Sequence, residues 1–173
     1  MSTRAKFKAG DRFPDLSWQQ VGGGRVSPAE AEGWRLLVVY RGKHCPLCTM
    51  YLGQVEGMRE DFDEAGVRVW AVSADPLERA EAHVKENGWT FPVLAGMSEA
   101  DMRALGLYVS APLSPDETDR KFAEPGTFVI NPAGEVQVVD VSNAPVARPD
   151  LKVLLGGIKF VAGKGYPVRG TAD

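Results

Sequence analysis

Cysteine and histidine are scarce in this chain. Its 173 residues hold two of each: Cys45 and Cys48, His44 and His83. That excludes a framework of several disulfides. A structural zinc site takes four ligands. Here all four of these residues would have to meet on one ion, although His44 and Cys45 are adjacent and His83 reads on another helix, so no metal is expected. There is no long basic run, and 20 Lys and Arg face 23 Asp and Glu for a net charge of −3. Neither nucleic acid nor an anionic membrane surface is indicated as a partner. No apolar stretch approaches the roughly 20 residues of a membrane-spanning helix. The opening Met1-Ser2-Thr3-Arg4-Ala5-Lys6-Phe7 lacks the apolar core of a signal peptide. The cytoplasm is the expected compartment, where two cysteines act as catalytic, redox-sensing or metal-binding groups more often than as a permanent staple. No Ser/His/Asp set, paired-carboxylate motif, repeat or low-complexity tract stands out. Gly22-Gly23-Gly24 is no phosphate loop, because no Lys-Ser/Thr follows it and no helix begins there.

What is present is an ordinary globular composition, 44% hydrophobic and 25% charged, in a length that suits one domain over 1–173. Turn-rich sequence over 9–35 holds a short hairpin, Leu16–Gln20 with Arg25–Ser27. Leu36–Tyr40 is apolar without alternation, as a strand buried on both faces would be. Leu47, Met50, Tyr51, Val55, Met58 and Phe62 recur at steps of three and four, predicting one helix over Pro46–Ala65 with Gly66 as its stop. Val67–Ser73 reads as a strand. Asp75-Pro76-Leu77-Glu78 supplies an N-cap, a first-position proline and an early acidic residue for a helix ending at Gly88. Phe91–Leu94 is a short strand and Glu99–Leu105 a short helix. Residues 108–125 read as a long loop. Thr127–Ile130 and Glu135–Val141 form a hairpin across Asn131-Pro132-Ala133-Gly134. Pro149–Ala162 is the last helix, and the tail from Gly163 is expected to be loose. The order predicts an α/β fold: a mixed central sheet with helices on both faces and an N-terminal hairpin extension.

The chemistry concentrates in Arg41-Gly42-Lys43-His44-Cys45-Pro46-Leu47-Cys48. A strand precedes it and a helix follows, which places both thiols in a first helical turn. Residues three apart share a helix face, so the sulfurs can join with little backbone movement. A helix N-terminus presents unpaired N–H groups and partial positive charge, which favour the reactive thiolate. Cys-x-x-Cys at such a junction is a redox signature. Arg41, Lys43 and His44 add positive charge beside it. Arg41 directly follows a buried strand and should bring its guanidinium near the thiols; the alternative is an arginine whose stem covers a strand edge. His44 either tunes the thiolate or shuttles a proton, or is an exposed loop residue.

The ordered elements resemble the thioredoxin fold, and within it the peroxiredoxin-like branch of alkyl hydroperoxide reductase and thiol-specific antioxidant relatives. Ala9-Gly10-Asp11-Arg12-Phe13-Pro14-Asp15-Leu16 resembles that branch's opening. Val69–Asp75, Phe91-Pro92-Val93-Leu94 and Gly126–Asn131 resemble three further segments, so the likeness spans about residues 9 to 160. Peroxiredoxins carry Pro-x-x-x-Thr-x-x-Cys around the attacking thiol. Laying Cys48 on that cysteine puts Cys45 at the Thr place and Arg41 at the Pro place. Laying Cys45 there puts Gly42 and Val38 at those places. Neither register reproduces the motif, and the family's arginine before the Gly/Ala-Thr-Phe strand is here Pro125. Pro125 instead resembles the cis-proline that sits beside the Cys-x-x-Cys of thioredoxin-type oxidoreductases.

The resemblance implies a thiol-disulfide oxidoreductase, an antioxidant protein of cell redox homeostasis that cycles between dithiol and disulfide at Cys45 and Cys48. Cys45, expected to be the more exposed, would attack, and Cys48 would resolve. A thiol-dependent peroxidase acting on hydrogen peroxide or alkyl hydroperoxides is the alternative, and a non-catalytic redox-sensing or interaction module a further one. Site residues are then Cys45, Cys48, Arg41, Pro125 and His44. No bound cofactor is needed. The implied partners are a disulfide or hydroperoxide substrate and an external dithiol donor, thioredoxin-like or glutathione, with a homodimer left open.

Overall fold

The apolar run after Trp34 becomes the middle of the sheet, because a strand without alternation must be covered on both faces. A computed structural model describes residues 7–172. Its strands are β1 (Trp18–Gln20), β2 (Arg25–Val26), β3 (Trp34–Val39), β4 (Val67–Val72), β5 (Val93–Ala95), β6 (Val109–Ser110), β7 (Phe122–Ala123), β8 (Gly126–Ile130) and β9 (Val136–Val141). Its helices are α1 (Pro46–Gly57), α2 (Arg59–Glu64), α3 (Leu77–Asn87), α4 (Glu99–Ala104) and α5 (Leu151–Lys164). Seven strands form one sheet in the order β2-β1-β5-β4-β3-β8-β9. β3 runs parallel to β4 and antiparallel to β8. The expected mixed sheet with an N-terminal hairpin is therefore present.

Alternate residues of β3 point to opposite faces and seed two apolar clusters. Leu36, Val38 and Tyr40 join Leu52 and Val55 of α1, Phe62 of α2, and Leu151, Leu155 and Ile158 of α5. Leu37 and Val39 join Phe13, Trp18, Met102 of α4 and Phe128 on the other side.

Several local expectations give way to tertiary detail. The predicted single helix over 46–65 breaks at Met58, whose N–H is shared between the Gln54 and Val55 carbonyls just after Gly57. Glycine lowers helix propensity at that point. Asp75 does not cap α3: Pro76 occupies the N-cap without a side-chain bond, and the carboxylate turns toward Lys43 instead. The 108–125 segment contains a small ladder, β6 with β7. Beyond α5, Gly165 is left-handed, and Gln137 Nε2 donates to the Tyr166 carbonyl. Among the described residues no helix is long and apolar enough to cross a membrane.

Topology collects one end of the sheet. In the parallel pair, Val39 lies opposite Val72, so the segments after β3 and β4 emerge together. Antiparallel β8 begins at that end, with Gly126 opposite Val39. β9 finishes there, with Val141 opposite Gly126. Arg41–Cys48, Ser73–Asp75, Glu124–Pro125 and the 142–150 connection therefore converge.

Candidate active site

Cys45 caps α1: its extended backbone ends the loop, and its Sγ accepts the Cys48 N–H at 3.3 Å. Pro46 follows at the first helical position, where a missing N–H costs nothing. Both thiols are free and both are buried, Cys45 at 4% exposure and Cys48 at 0%. The expected exposed Cys45 is thus not found, because the first turn of α1 packs into the cluster holding Tyr40, Tyr51 and Leu151.

Arg148 reaches in from the β9–α5 connection. Its Nη2 donates to Cys48 Sγ at 3.0 Å and its Nη1 to the Pro145 carbonyl at 2.7 Å. The guanidinium lies 5.1 Å from the Tyr51 ring centroid, and Tyr51 Oη donates to the Pro149 carbonyl at 2.7 Å. Burial pushes the Tyr51 phenol up to about 12. It therefore stays protonated and keeps that donation.

Of the two thiols, the surroundings favour ionisation of Cys48 over Cys45. A hydrogen bond from the Cys45 thiol, then the Arg148 charge and hydrogen bond and the Arg41 backbone N–H, outweigh burial and hold Cys48 down at about 6. Cys45 is raised, first by that bond with Cys48 and then by burial. Two like charges this close would repel, so one sulfur keeps its proton.

Arg41 forms a two-armed pair with Glu124, both N···O distances 2.8 Å, and Ser110 Oγ donates to the same carboxylate at 2.7 Å. Its guanidinium stands 5.3 Å from the Phe122 ring centroid. The side chain thus faces β7 and Glu124, while its backbone serves the sulfur. His44 packs edge-on to Phe122 at 4.7 Å, and both ring nitrogens are buried without a partner among the described residues. Burial lowers its pKa. Its ring is neither an exposed loop group nor bonded to a sulfur. Pro125 borders the site with its carbonyl accepting from Ser142, and the Glu124–Pro125 peptide is trans, unlike the cis-proline it was likened to.

The structure thus brings Cys45, Cys48 and the Arg41 backbone together and adds Arg148, Glu124, Ser110 and Tyr51. Two of the additions carry a sequence signal. Glu124 is the lone charge in the mostly apolar run Phe122–Ile130, and a carboxylate in such a run needs a partner. Arg148 is the lone charge between the end of β9 at Val141 and Asp150.

Behind the thiols, His83 is 2% exposed, packs edge-on to Trp89 at 4.6 Å and meets Thr49 Oγ1 at 2.9 Å. Thr49 Oγ1 donates to the Cys45 carbonyl, so Nε2 carries the proton toward Thr49. Nδ1 has no partner. Burial lowers the His83 pKa. The folded state therefore binds fewer protons than the unfolded chain once pH falls below the ordinary histidine value of about 6.5. Stability is full above that value and declines as pH falls through it. The urea midpoint is expected to drop between about pH 7.5 and about pH 5.5; His44, also lowered by burial, and the depressed Cys48 thiol act in the same direction, so His83→Gln should remove part of that dependence. An unchanged slope in the variant would remove His83 as a cause.

A seven-stranded mixed sheet with helices on both faces and a thiol pair opening α1 defines a thioredoxin-like fold of peroxiredoxin type. The AhpC/TSA family model matches residues 9–139, and the chain belongs to that family. It is 26% identical over 118 residues to a probable 1-Cys peroxiredoxin of Syntrichia ruralis, covering 64% of this chain and 52% of that protein. The chain thus spans about half the length of that relative. It is 24% identical over 134 residues to the thiol-disulfide oxidoreductase ResA of Halalkalibacterium halodurans, covering 77% of this chain and 68% of that protein. A crystallised mutant of peroxiredoxin 6 from Arenicola marina shares the fold, with TM-score 0.76 and 19% identity over 92% of this chain and 76% of that one. Arg148 lies beyond the 9–139 match.

Proposed function

We propose that the chain is a thiol-dependent peroxidase that closes its own disulfide. The observation that carries this is the 3.0 Å contact between the Arg148 guanidinium and Cys48 Sγ. It supplies fixed positive charge at a sulfur, in a chain whose Pro125 stands where the family arginine is expected. The Cys48 thiolate attacks one peroxide oxygen and the O–O bond breaks. The departing oxygen takes a proton and leaves as water or an alcohol. Cys48 becomes a sulfenic acid. The Cys45 thiol then attacks that sulfur, releasing water and leaving a Cys45–Cys48 disulfide. An external dithiol reduces it by exchange.

Charge assigns attack to Cys48 where expected exposure favoured Cys45; exposures of 0% and 4% hardly separate them. The test is sulfenic acid trapping after one equivalent of peroxide. Cys45→Ser should give one turnover and a trapped Cys48 sulfenic acid, whereas Cys48→Ser should give neither. The reverse pattern would reassign attack to Cys45. No peroxide consumption by the wild type would refute the reading.

The Cys-x-x-Cys spacing and the likeness to ResA support a second reading, direct reduction of protein disulfides by the same pair. Insulin reduction matching or exceeding peroxide turnover would favour it.

A further inference from the structure

Asp75 is a buried carboxylate that the peroxide chemistry does not use. It is 2% exposed and held from both sides: Ser73 Oγ accepts its N–H at 3.2 Å, and its carbonyl accepts the Gly96 N–H at 2.8 Å. Its Oδ2 accepts the Lys43 N–H at 2.7 Å. Gly42 sits against the same carboxylate with φ +137°, and a Cβ there would fall 2.8 to 3.0 Å from its atoms. The Gly42 carbonyl in turn accepts the Cys45 N–H at 3.2 Å. One short path thus joins the Asp75 side chain to the backbone of a reacting cysteine. Arg79 anchors the other oxygen at 3.5 Å and reaches on to Thr118 Oγ1 at 3.3 Å and Asp119 Oδ1 at 2.9 Å.

This arrangement is not helix capping, since among the described residues the carboxylate accepts no backbone N–H of the first turn of α3 and meets that turn only through the Arg79 side chain. A buried carboxylate costs several kcal/mol in desolvation unless it is well bonded, and its shortest bond is to the thiol loop. Parallel pairing of β3 with β4 delivers the two segments side by side, so the clamp is a product of sheet topology.

We propose that Asp75 is the positioning residue of the thiol pair: by gripping the Gly42–Lys43 turn, it sets where Cys45 starts α1 and so the alignment of its sulfur with Cys48. The inference rests on Cys45 and Cys48 forming a redox pair, but not on peroxide as the oxidant. Asparagine at 75 retains an acceptor oxygen for the Lys43 N–H, and alanine does not. Gly42→Ala approaches the same grip from the other side.

The experiment is disulfide closure in the reduced, full-length chain under diamide, a diazene that takes up the two thiol hydrogens as the S–S bond forms. Rates are read by mass spectrometry under thiol quenching, with melting temperatures recorded in parallel. Asp75→Asn is expected to close within about twofold of wild type. Asp75→Ala and Gly42→Ala are expected to close at least about tenfold more slowly, since misplacement near 1 Å can cost about 10²-fold. The slowing should persist at temperatures where each variant is fully folded. Wild-type closure by Asp75→Ala or Gly42→Ala, or loss in Asp75→Asn as deep as in Asp75→Ala, overturns the clamp. Should Asp75→Ala not fold, Asp75→Asn and Gly42→Ala still decide it. Failure of wild-type closure would instead strike the redox-pair reading itself, and wild-type closure without peroxide turnover would strike only the peroxidase.

Discussion

Arg148→Gln is expected to shift the pH midpoint of Cys48 alkylation upward from about 6 toward the ordinary thiol range. It should also slow peroxide reduction near neutral pH by up to about 30-fold, the loss of thiolate at about pH 7 when a thiol pKa moves from about 6 to about 8.5. Glutamine retains an N–H for Cys48 but not the charge, so the shift isolates the electrostatic part. A charge-assisted hydrogen bond is roughly twice as strong as a neutral one, and little water screens this one, since Cys48 has no exposed surface. Arg148→Lys should recover only part of the shift. Lysine offers a point charge without the planar fork that serves Cys48 Sγ and the Pro145 carbonyl together. Alanine is the poorer probe, because the guanidinium also covers the Tyr51 ring and packing would be lost with charge. An unmoved alkylation midpoint in Arg148→Gln would show that backbone dipoles and Cys45 suffice.

Most strands and helices and their sequence along the chain are legible because their causes are local. Unbroken apolarity marks β3, and the Asn131–Gly134 turn marks the β8–β9 hairpin. Leu151, Leu155 and Ile158 mark the buried face of α5. The cysteine pair was legible for the same reason, since two thiols three residues apart need no tertiary information. What escaped depends on which strand ends meet. Arg148 stands 100 residues from Cys48, and Glu124 stands 83 from Arg41; no spacing rule links either pair. Asp75 fits the pattern of a helix cap, yet the parallel neighbour offers a donor at 2.7 Å that outcompetes the first turn. The burial of Cys45 is not legible because a motif fixes the helix end, whereas burial depends on what packs against it, here the cluster of Tyr40, Tyr51 and Leu151.

The second large effect is on stability. Arg41→Ala is expected to cost about 3–5 kcal/mol in urea unfolding, the usual result of stripping one partner from a buried ion pair. The pair is lopsided: the Glu124 side chain is 3% exposed and that of Arg41 24%. Removing the arginine strands a carboxylate with Ser110 Oγ alone, whereas Glu124→Gln leaves a guanidinium that already touches solvent and Phe122. Glu124→Gln should therefore cost distinctly less. Replacing both by apolar residues of similar volume, as in Arg41→Met with Glu124→Leu, should restore much of the loss, because neither charge then needs solvating. The cycle yields the coupling directly. The thiols should respond in a different order. The Arg41 contact that lowers Cys48 includes the backbone N–H, which every side-chain variant keeps. Arg41→Ala should thus move the alkylation midpoint less than Arg148→Gln while destabilising the fold more. A cost below about 1 kcal/mol would place the pair with exposed salt bridges, which contribute that little, and would leave Glu124 held chiefly by Ser110 and its own backbone.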